Sequence, residues 1–358
     1  MYAATGAAPG EEETEMKKLT ATLGLAALLA AVAQVQAQEI ILKVHHFLPP
    51  PSTIHAKVLV PWCDKINKES AGKLKCQIYP AMQLGGAPPQ LYDQAKDGVA
   101  DIVWTLPGYT AGRFPNIEVF ELPFMMRNTE GTSRALWDWV QANDQAEFKD
   151  VHALAFHVHG PGVFHMIDKP IKTLADFKGL KLRAPTRQTN KMLAAFGATP
   201  VGMPVPQLPE ALSKGVIDGG VIPWEVVPSL KVQELVKFHS ESDASAPAVY
   251  TSAFILAMNK AKYDSLPPDA KKVLDANSGA AFSQWIGLMF EEADIANRKP
   301  AVARGNTFNT ISAAEIENWK KAAQPVYDGW LKDVAAKGAN GKALLDSAHS
   351  LIEKYKNQ

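Results

Sequence analysis

Two histidines come nearest, by residue type and spacing, to a reactive centre. His157 and His159 lie two positions apart in an apolar stretch. Side chains two apart in a strand point to the same face of a sheet, so this pair could ligate a metal ion. A metal site needs a third or fourth donor, and no cysteine or paired carboxylate lies close in the sequence. The pair is therefore either part of a secreted metal-dependent enzyme or, as we favour, two histidines on a half-buried strand face.

A second candidate is Arg183, in the stretch GLKLRAP (179–185). Leucines that alternate with lysine and arginine are typical of a strand, and Arg183 stands at its end. Ligands of open α/β sheets bind beyond the carboxyl ends of strands, and a guanidinium matches a carboxylate through two parallel hydrogen bonds. Pro185 stiffens the turn that follows. Arg183 is thus either the cation of an ordinary salt bridge or the receptor for a carboxylate.

Large aromatic residues gather near the predicted strand ends rather than at helical spacing. They are Phe47, Trp104, Phe164 and Trp224. These side chains either seal the ends of sheets or line an apolar pocket. An aromatic pocket with one convergent charged group is the usual composition of a small-molecule site.

The common enzyme signatures are missing from the sequence. It contains no GxxxxGK[ST], no GxGxxG after a strand, no GxSxG and no HExxH. Lysine plus arginine and aspartate plus glutamate both number 37, so no single-sign charge favours nucleic acid or a membrane surface. The sequence thus offers no motif for an enzyme or for a cofactor, and no cofactor is expected.

The N-terminal residues resemble an export signal. From residue 16, two lysines precede an apolar run over 19–32, and a small-residue sequence that suits a signal peptidase ends at Ala37. We predict a cleavable signal peptide and an exported chain; the alternative is an uncleaved anchor helix. Residues 1–15 are acidic, and their role stays open.

Cys63 and Cys76 are the only cysteines. An even pair in an exported chain is a candidate disulfide, and Cys63 falls on a predicted helix that precedes the strand of Cys76. The alternative is two small buried thiols. Neither cysteine resembles a nucleophile or a metal ligand, because no CxxC is present.

Short strands that alternate with helical segments must position these residues. Strands are predicted at 38–47, 73–80, 101–106 and 152–159, and again at 179–185, 198–204, 216–224 and 252–259. Beyond Lys262 the pattern is almost wholly helical, with a long helix interrupted near Pro300. This order predicts an α/β fold of two domains with largely parallel sheets. No Pro- or Ser-rich linker separates them, so the chain should cross between the domains on strands.

Four stretches keep a characteristic order over nearly the whole chain that follows the signal peptide. They are KINKESAGKLKCQIYPAMQLGG, DGVADIVWTLPGYTAGRFPNIEVFELPF, IKTLADFKGLKLRAPTRQTNKMLAAFGATPVGMP and LSKGVIDGG. Together they resemble the periplasmic substrate-binding subunit of TRAP transporters, the DctP-type family. The resemblance implies a two-domain α/β binding protein of the Venus-flytrap type, with mixed, mostly parallel sheets, a ligand cleft between the domains and a long domain-spanning helix. It implies no enzymatic activity.

The resemblance also carries expectations about organisation and partners. We place extra residues and the signal peptide at 1–37, one domain at 38–161 and 251–290, and the other at 162–250 and 291–358. The protein is expected in the periplasm as a monomer that delivers its ligand to the small and large membrane subunits of the transporter. A sensor protein is the alternative recipient.

Members of this family bind organic acids through an arginine of the GLKLR strand, and the matching residue here is Arg183. Elsewhere the chain departs from the family's pattern. Ile222 stands where DGxxN has asparagine, Phe164 and its neighbour Val163 lie where a second arginine is common, and Phe47 replaces a polar residue of sialic-acid binders. Each departure exchanges a polar side chain for an apolar one.

We therefore predict capture of an aromatic or hydrophobic monocarboxylate. Arg183 would pair with the carboxylate. The rest of the pocket would be formed by Phe47, Trp104, Phe164, Ile222, Trp224 and Tyr250, the last offering a hydroxyl. A sugar needs buried donors that such a pocket lacks, whereas a ring gains from stacking and burial. The alternative ligands are a small aliphatic 2-oxo or 2-hydroxy acid and a sugar acid.

Overall fold

The computed structural model describes residues 1–3 and 39–357. Residues 1–3 form no helix or strand, and a compact unit begins at Ile41. The predicted signal peptide and its cleavage near Ala37 lie outside the described residues. Within the described ranges, none of the helices has both the length and the hydropathy that a membrane span needs.

The first of two sheets has five strands. These are β1 (Ile40–His46), β2 (Leu74–Tyr79), β3 (Ile102–Thr105), β4 (Val151–Val158) and β10 (Ala253–Asn259). Their order across the sheet is β2-β1-β3-β10-β4. Strands β1 and β3 run parallel, whereas β10 lies antiparallel between β3 and β4. Every residue of β3 and β10 is buried, as expected for central strands covered on both faces.

The second sheet has six shorter strands. These are β5 (Val163–Met166), β6 (Lys181–Ala184), β7 (Thr199–Gly202), β8 (Gly219–Ile222), β9 (Phe238–Ser242) and β11 (Thr307–Ile311). Their order is β11-β9-β5-β8-β6-β7. Only β5 runs antiparallel to its neighbours. The predicted two-sheet α/β fold class is thus confirmed.

Eleven helices in the described residues cover these sheets. They are α1 (Val60–Glu69), α2 (Leu91–Lys96), α3 (Thr129–Asn143), α4 (Arg187–Ala195), α5 (Leu208–Ser213), α6 (Lys260–Ser265), α7 (Pro268–Ala276), α8 (Ala280–Asn297), α9 (Lys299–Ala303), α10 (Ala313–Ala335) and α11 (Gly341–Tyr355). A π-helical segment, Ile54–Leu59, runs directly into α1.

Helix α8 lies against elements of both sheets. Near its start, Ser283 Oγ accepts a hydrogen bond from the backbone of Phe156 on β4 (3.1 Å). Near its end, Asp294 accepts one from the backbone of Glu225 (2.6 Å), just after β8. This is the expected spanning helix, but it is shorter than the sequence pattern predicted. Gly279, at φ +82°, ends the preceding turn in a conformation that favours glycine and so separates α7 from α8.

Two of the segments on which the chain crosses between the sheets pair with each other. One is 159–162, between β4 and β5, and the other is 243–252, between β9 and β10. The backbone of Gly162 donates to the carbonyl of Tyr250 (3.1 Å), and the hydroxyl of Thr251 donates to the carbonyl of His159 (2.6 Å). A Cβ at Gly162 would lie 2.0 Å from the Tyr250 ring, so only glycine allows this close crossing.

The C-terminal helix packs on the side of the first sheet. Trp139 on α3 donates its indole N–H to the carbonyl of Leu344 on α11 (3.0 Å), and α3 covers β4. The predicted boundaries had placed 291–358 with the other domain; those boundaries stay a prediction.

Cys63 on α1 and Cys76 on β2 form a disulfide, with their Cα atoms 5.7 Å apart. The link ties a covering helix to the edge strand of the first sheet. The disulfide stabilises the protein mainly because it restricts the conformations of the unfolded chain.

Candidate ligand-binding site

A cavity lies between the two sheets. The side of the first sheet contributes Phe47, Leu48, Trp104, Leu106, Tyr109 and Phe254. The side of the second sheet contributes Arg183, Pro185, Val205, Ile222, Pro223, Glu225 and Val226. The crossing segments contribute His159, Tyr250 and Ser252. A molecule inside would therefore touch both sheets and the chain that joins them.

Arg183 is held at the end of β6 with its side chain directed into this cavity. It lies opposite Gly220 on β8, where an added Cβ would come within 3.1 Å of the arginine Cβ. Its Nε donates to the carbonyl of Met203 (3.0 Å) and its Nη1 to the carbonyl of Val221 (3.3 Å). Its Nη2 has no hydrogen-bond partner, although the residue is only 1% exposed. The guanidinium is thus fixed in place, and the N–H groups of its Nη2 are left unpaired.

Among the residues that the structure describes, no carboxylate balances this charge. Burial lowers the pKa of Arg183, and the titratable groups that act against this shift are the phenols Tyr109 and Tyr250. Burial in turn raises the pKa of both phenols, so both are neutral. An arginine keeps its proton even when buried. The cavity therefore carries a net positive charge that an anion can neutralise.

Stacked rings form the wall on the side of the first sheet. The ring of Trp104 has its centroid 4.7 Å from that of Phe47 and 4.7 Å from that of Phe254. The indole N–H of Trp104 donates to Nε2 of His157 (2.8 Å), which fixes the orientation of the indole. This wall can cover an aromatic ring by stacking or by edge contact.

Two further polar side chains line the cavity. His159 donates from Nδ1 to the carbonyl of Gly160 (2.6 Å), and burial lowers the pKa of its ring to about 3. The pKa of Glu225 is raised to about 8, mainly by burial and secondly by the nearby carboxyl of Asp294. Both side chains are therefore neutral at pH 7, so Arg183 supplies the only formal charge among the described residues that line the cavity.

Outside the cavity lies a cluster of paired charges that we call the outer rim: Glu118, Arg187, Lys191 and Asp333. Arg187 on α4 binds both carboxylate oxygens of Glu118, which lies in the turn Ile117–Glu121. Its Nη1 also donates to Asp333 (3.0 Å), as does the Lys191 amine (2.8 Å). Arg187 and Lys191 line a second, more open hollow that shares Tyr109 and Pro185 with the cavity.

Five of the residues predicted for the site line the cavity together: Phe47, Trp104, Arg183, Ile222 and Tyr250. Two do not. Phe164 faces the other side of β5, where its ring packs against Phe177 and Trp319. Trp224 packs against His165 and His239 and donates its indole N–H to Glu241 (2.8 Å). Both rings belong to packing around the second sheet, so their placement in the ligand pocket is corrected.

Several residues of the cavity were not predicted from the sequence, above all Tyr109, Glu225, Ser252 and Phe254. Tyr109 and Glu225 lie in single turns, Pro107–Tyr109 and Trp224–Val226, where no periodic pattern marks a buried face. Phe254 did carry a signal, because it opens a fully buried strand next to Tyr250. Ser252 carried none.

The histidine pair does not form a metal site. Both ring nitrogens of His157 are engaged, Nε2 by Trp104 and Nδ1 by the carbonyl of Val158 (3.1 Å). His159 lines the cavity instead. Among the residues that the structure describes, no group of three or more His, Cys, Asp or Glu side chains could hold a metal ion.

Two α/β halves around a cavity, joined by paired crossing segments, define a two-lobed solute-binding protein. The chain belongs to the DctP family, described as bacterial extracellular solute-binding protein, family 7, whose profile matches residues 44–333. Members of this family are periplasmic substrate-binding proteins of TRAP transporters, not enzymes.

Solved structures of similar proteins agree with this assignment. A TRAP solute-binding protein from Rhodoferax ferrireducens T118, with copurified benzoate, is 55% identical with a TM-score of 0.87, covering 88% of this chain and 98% of that one. A marine metagenome protein with 3-hydroxybenzoate is 47% identical with a TM-score of 0.87, covering 89% and 99%. A protein from Bordetella bronchiseptica with bound mandelate is 27% identical with a TM-score of 0.81, covering 88% and 99%.

Proposed function

We propose that the protein captures an aromatic or otherwise hydrophobic monocarboxylate in the cavity and delivers it to the membrane subunits of a TRAP transporter. The observation that carries the proposal is Arg183, a buried guanidinium with an unpartnered Nη2 and no carboxylate beside it. A buried charge without a counter-ion is costly. A ligand carboxylate neutralises the charge and accepts hydrogen bonds from Nη2 of Arg183.

The wall of the cavity supports a ring as the rest of the ligand. Phe47, Trp104 and Phe254 present stacked apolar surface, and burying a ring there gains about 25 cal/mol per Å² of apolar area. Benzoate, 3-hydroxybenzoate and mandelate, bound by the similar proteins described above, are all aromatic monocarboxylates. These ligands support the same chemical class for this chain.

The charge of the cavity argues against dicarboxylates and sugar acids. Arg183 is the one cation among the described lining residues, so a second carboxylate would be buried without a partner. A sugar acid carries several hydroxyls, and each one left unpaired in an apolar pocket costs about 1–3 kcal/mol. A small aliphatic 2-oxo or 2-hydroxy acid would fit the charge but leave the aromatic wall uncovered.

Ligand capture is proposed to work by a shift of population from open to closed forms. The ligand touches both walls only when the sheets approach each other, so its binding energy favours closure. We keep three sequence-based predictions as part of this proposal: the stated domain boundaries, export with cleavage near Ala37, and a monomeric protein that docks on the two membrane subunits.

Thermal denaturation of the protein with a panel of acids tests the proposal. The protein is first unfolded and refolded under oxidising conditions to remove any ligand carried from the cell. Benzoate, hydroxybenzoates and mandelate should each raise Tm, because a ligand at 100 times its Kd adds about 2.7 kcal/mol to stability. Stabilisation by succinate, galactonate or pyruvate, with no effect of the aromatic acids, would overturn it.

A further inference from the structure

The cavity contains three buried polar atoms that have no hydrogen-bond partner. They are Nη2 of Arg183, Oε2 of Glu225 and Oγ of Ser252. A ligand carboxylate can satisfy the first. Buried polar atoms in proteins are nearly always paired, so each remaining one calls for an explanation. The other two lie in the same cavity, and an unsubstituted ring would leave both unpaired.

The backbone around Glu225 is fixed from three directions. Its N–H donates to Asp294 on α8 (2.6 Å). Its carbonyl accepts from the hydroxyl of Thr53 (3.4 Å) and from the side-chain amide of Asn297 (2.6 Å). The residue is only 3% exposed. The structure therefore fixes the backbone of Glu225 beside the cavity and leaves Oε2 of its buried carboxyl without a partner.

The carboxyl of Glu225 is compatible with an anionic ligand in the same cavity. Burial and the neighbouring Asp294 raise its pKa to about 8, and no cation is among the groups that act on it. A protonated carboxyl donates through one oxygen and accepts through the other. It therefore does not repel a carboxylate bound at Arg183, and it can pair with a neutral polar group.

Ser252 supplies a second group of matching chemistry. It lies on the crossing segment that leads into β10 and is 0% exposed. The adjacent Thr251 uses its hydroxyl to bind the carbonyl of His159, whereas Ser252 Oγ bonds to nothing. A serine hydroxyl can both donate and accept.

Resting on the proposed binding of aromatic monocarboxylates, we infer that Glu225 and Ser252 form a receptor for a hydroxyl group on the ligand ring. A phenolic hydroxyl donates one hydrogen bond and accepts others, so one such group can serve both side chains. The ligand class is then a ring-hydroxylated aromatic acid. Arg183 binds its carboxylate, and Glu225 and Ser252 bind its hydroxyl group and so determine specificity for the substituent.

Calorimetric titration with benzoate and with 2-, 3- and 4-hydroxybenzoate tests this inference. Wild-type protein should bind at least one hydroxybenzoate about tenfold or more tightly than benzoate, because a site built for a hydroxyl penalises the analogue that lacks it. In Glu225→Leu and in Ser252→Ala that ratio should fall toward one, and the ratio rather than the affinity for benzoate itself is the measured quantity. Asp144→Asn, which alters a buried carboxyl outside the cavity, should leave the ratio unchanged.

The possible outcomes separate this inference from the proposed function. Benzoate that binds as tightly as every hydroxybenzoate, or a ratio that survives both substitutions, overturns the receptor but leaves aromatic acid binding intact. Failure of all four acids to bind overturns both. Ser252→Ala removes a single oxygen, so it keeps the test decisive where Glu225→Leu fails to fold.

Discussion

Arg183 and Arg187 belong to the same strand-to-helix segment, yet their surroundings differ in kind. Arg187, in the outer rim, is partly exposed and binds two carboxylates, Glu118 and Asp333. Arg183 is buried, donates to two backbone carbonyls and lies beside the neutral phenol of Tyr109, with no charged partner among the described residues. The ion pairs of Arg187 favour the folded state, whereas the unpaired buried charge of Arg183 lowers its stability. A cation kept in such a position is available for a ligand.

The acids of the two regions repeat the contrast. Glu118 in the outer rim is bound by Arg187 and by the amide of Gln188 (2.6 Å). Glu225 in the cavity has no cation beside it. The outer rim therefore contains charges matched to each other across the two halves, whereas Arg183 and Glu225 in the cavity have no oppositely charged partner among the described residues. The rim can stabilise closure for any ligand, and the cavity can discriminate between ligands.

The largest expected effect comes from removing the cation of the cavity. Arg183→Leu should weaken benzoate binding about 100-fold or more, because truncating one partner of a buried charged pair costs about 2–5 kcal/mol. Isothermal titration calorimetry on refolded protein measures the loss. Arg183→Lys should show an intermediate loss, since it keeps the charge but not the planar fork.

Stability serves as the control for that substitution. Arg183→Leu should leave the Tm of ligand-free protein unchanged or raised, because no protein carboxylate loses a partner. Benzoate affinity within threefold of wild type would remove Arg183 from the site.

A smaller and less selective effect is expected from the outer rim. Arg187→Leu should weaken benzoate and each hydroxybenzoate by a similar factor of about ten, because it removes charged hydrogen bonds worth about 1.5 kcal/mol from the closed form without touching the ligand. Lys214→Leu removes an exposed ion pair with Glu210 and should change affinity little. A loss that differs strongly among the ligands would place Arg187 in the discriminating region.

The smallest effect concerns pH. Burial is the main cause that raises the pKa of Glu225 and of Asp294 to about 8, and Glu291 adds to the shift of Asp294. The folded protein thus keeps protons that the unfolded chain releases near pH 4, so this stabilisation is complete below pH 4 and is lost as pH rises toward 8.

Thermal denaturation at saturating benzoate between pH 7 and 9, above the pH range in which the buried histidines of the unfolded chain titrate, checks this sign. Tm of the wild type should fall with rising pH, and Asp294→Asn should reduce the fall by about 2 °C. Glu121, Asp144 and Glu147 also have raised pKa values and are common to both proteins, so the difference reports on Asp294 and on Glu225, whose pKa Asp294 raises. An identical change of Tm with pH in the wild type and in Asp294→Asn would contradict the protonated state assigned to Asp294.

The sequence predicted the first sheet better than the second. All five strands of the first sheet were expected, because their buried runs are long and apolar. Strands β5, β9 and β11 were missed; β9 reads FHSES and β11 reads TFNTI, and such short polar stretches become strands through pairing with distant neighbours. A helical interpretation beyond Lys262 hid β11 in particular.

The site shows the same limit at the level of single residues. Arg183, Phe47 and Trp104 were predictable because they end strands of an α/β fold. Phe164 was not, because a shift of one position in a strand turns a side chain to the opposite face. Glu225 was not, because its burial depends on Asp294, which is far along the chain and meets it only in the folded structure.

Calorimetry with benzoate and its neutral isostere benzamide, on the same refolded wild-type protein, tests the central claim most directly. The two ligands offer the cavity the same ring and differ in charge. If Arg183 is a receptor for a carboxylate, benzoate binds about 100-fold or more tightly than benzamide, and Arg183→Leu removes that preference. Equal affinity of the wild type for the two ligands would contradict the account.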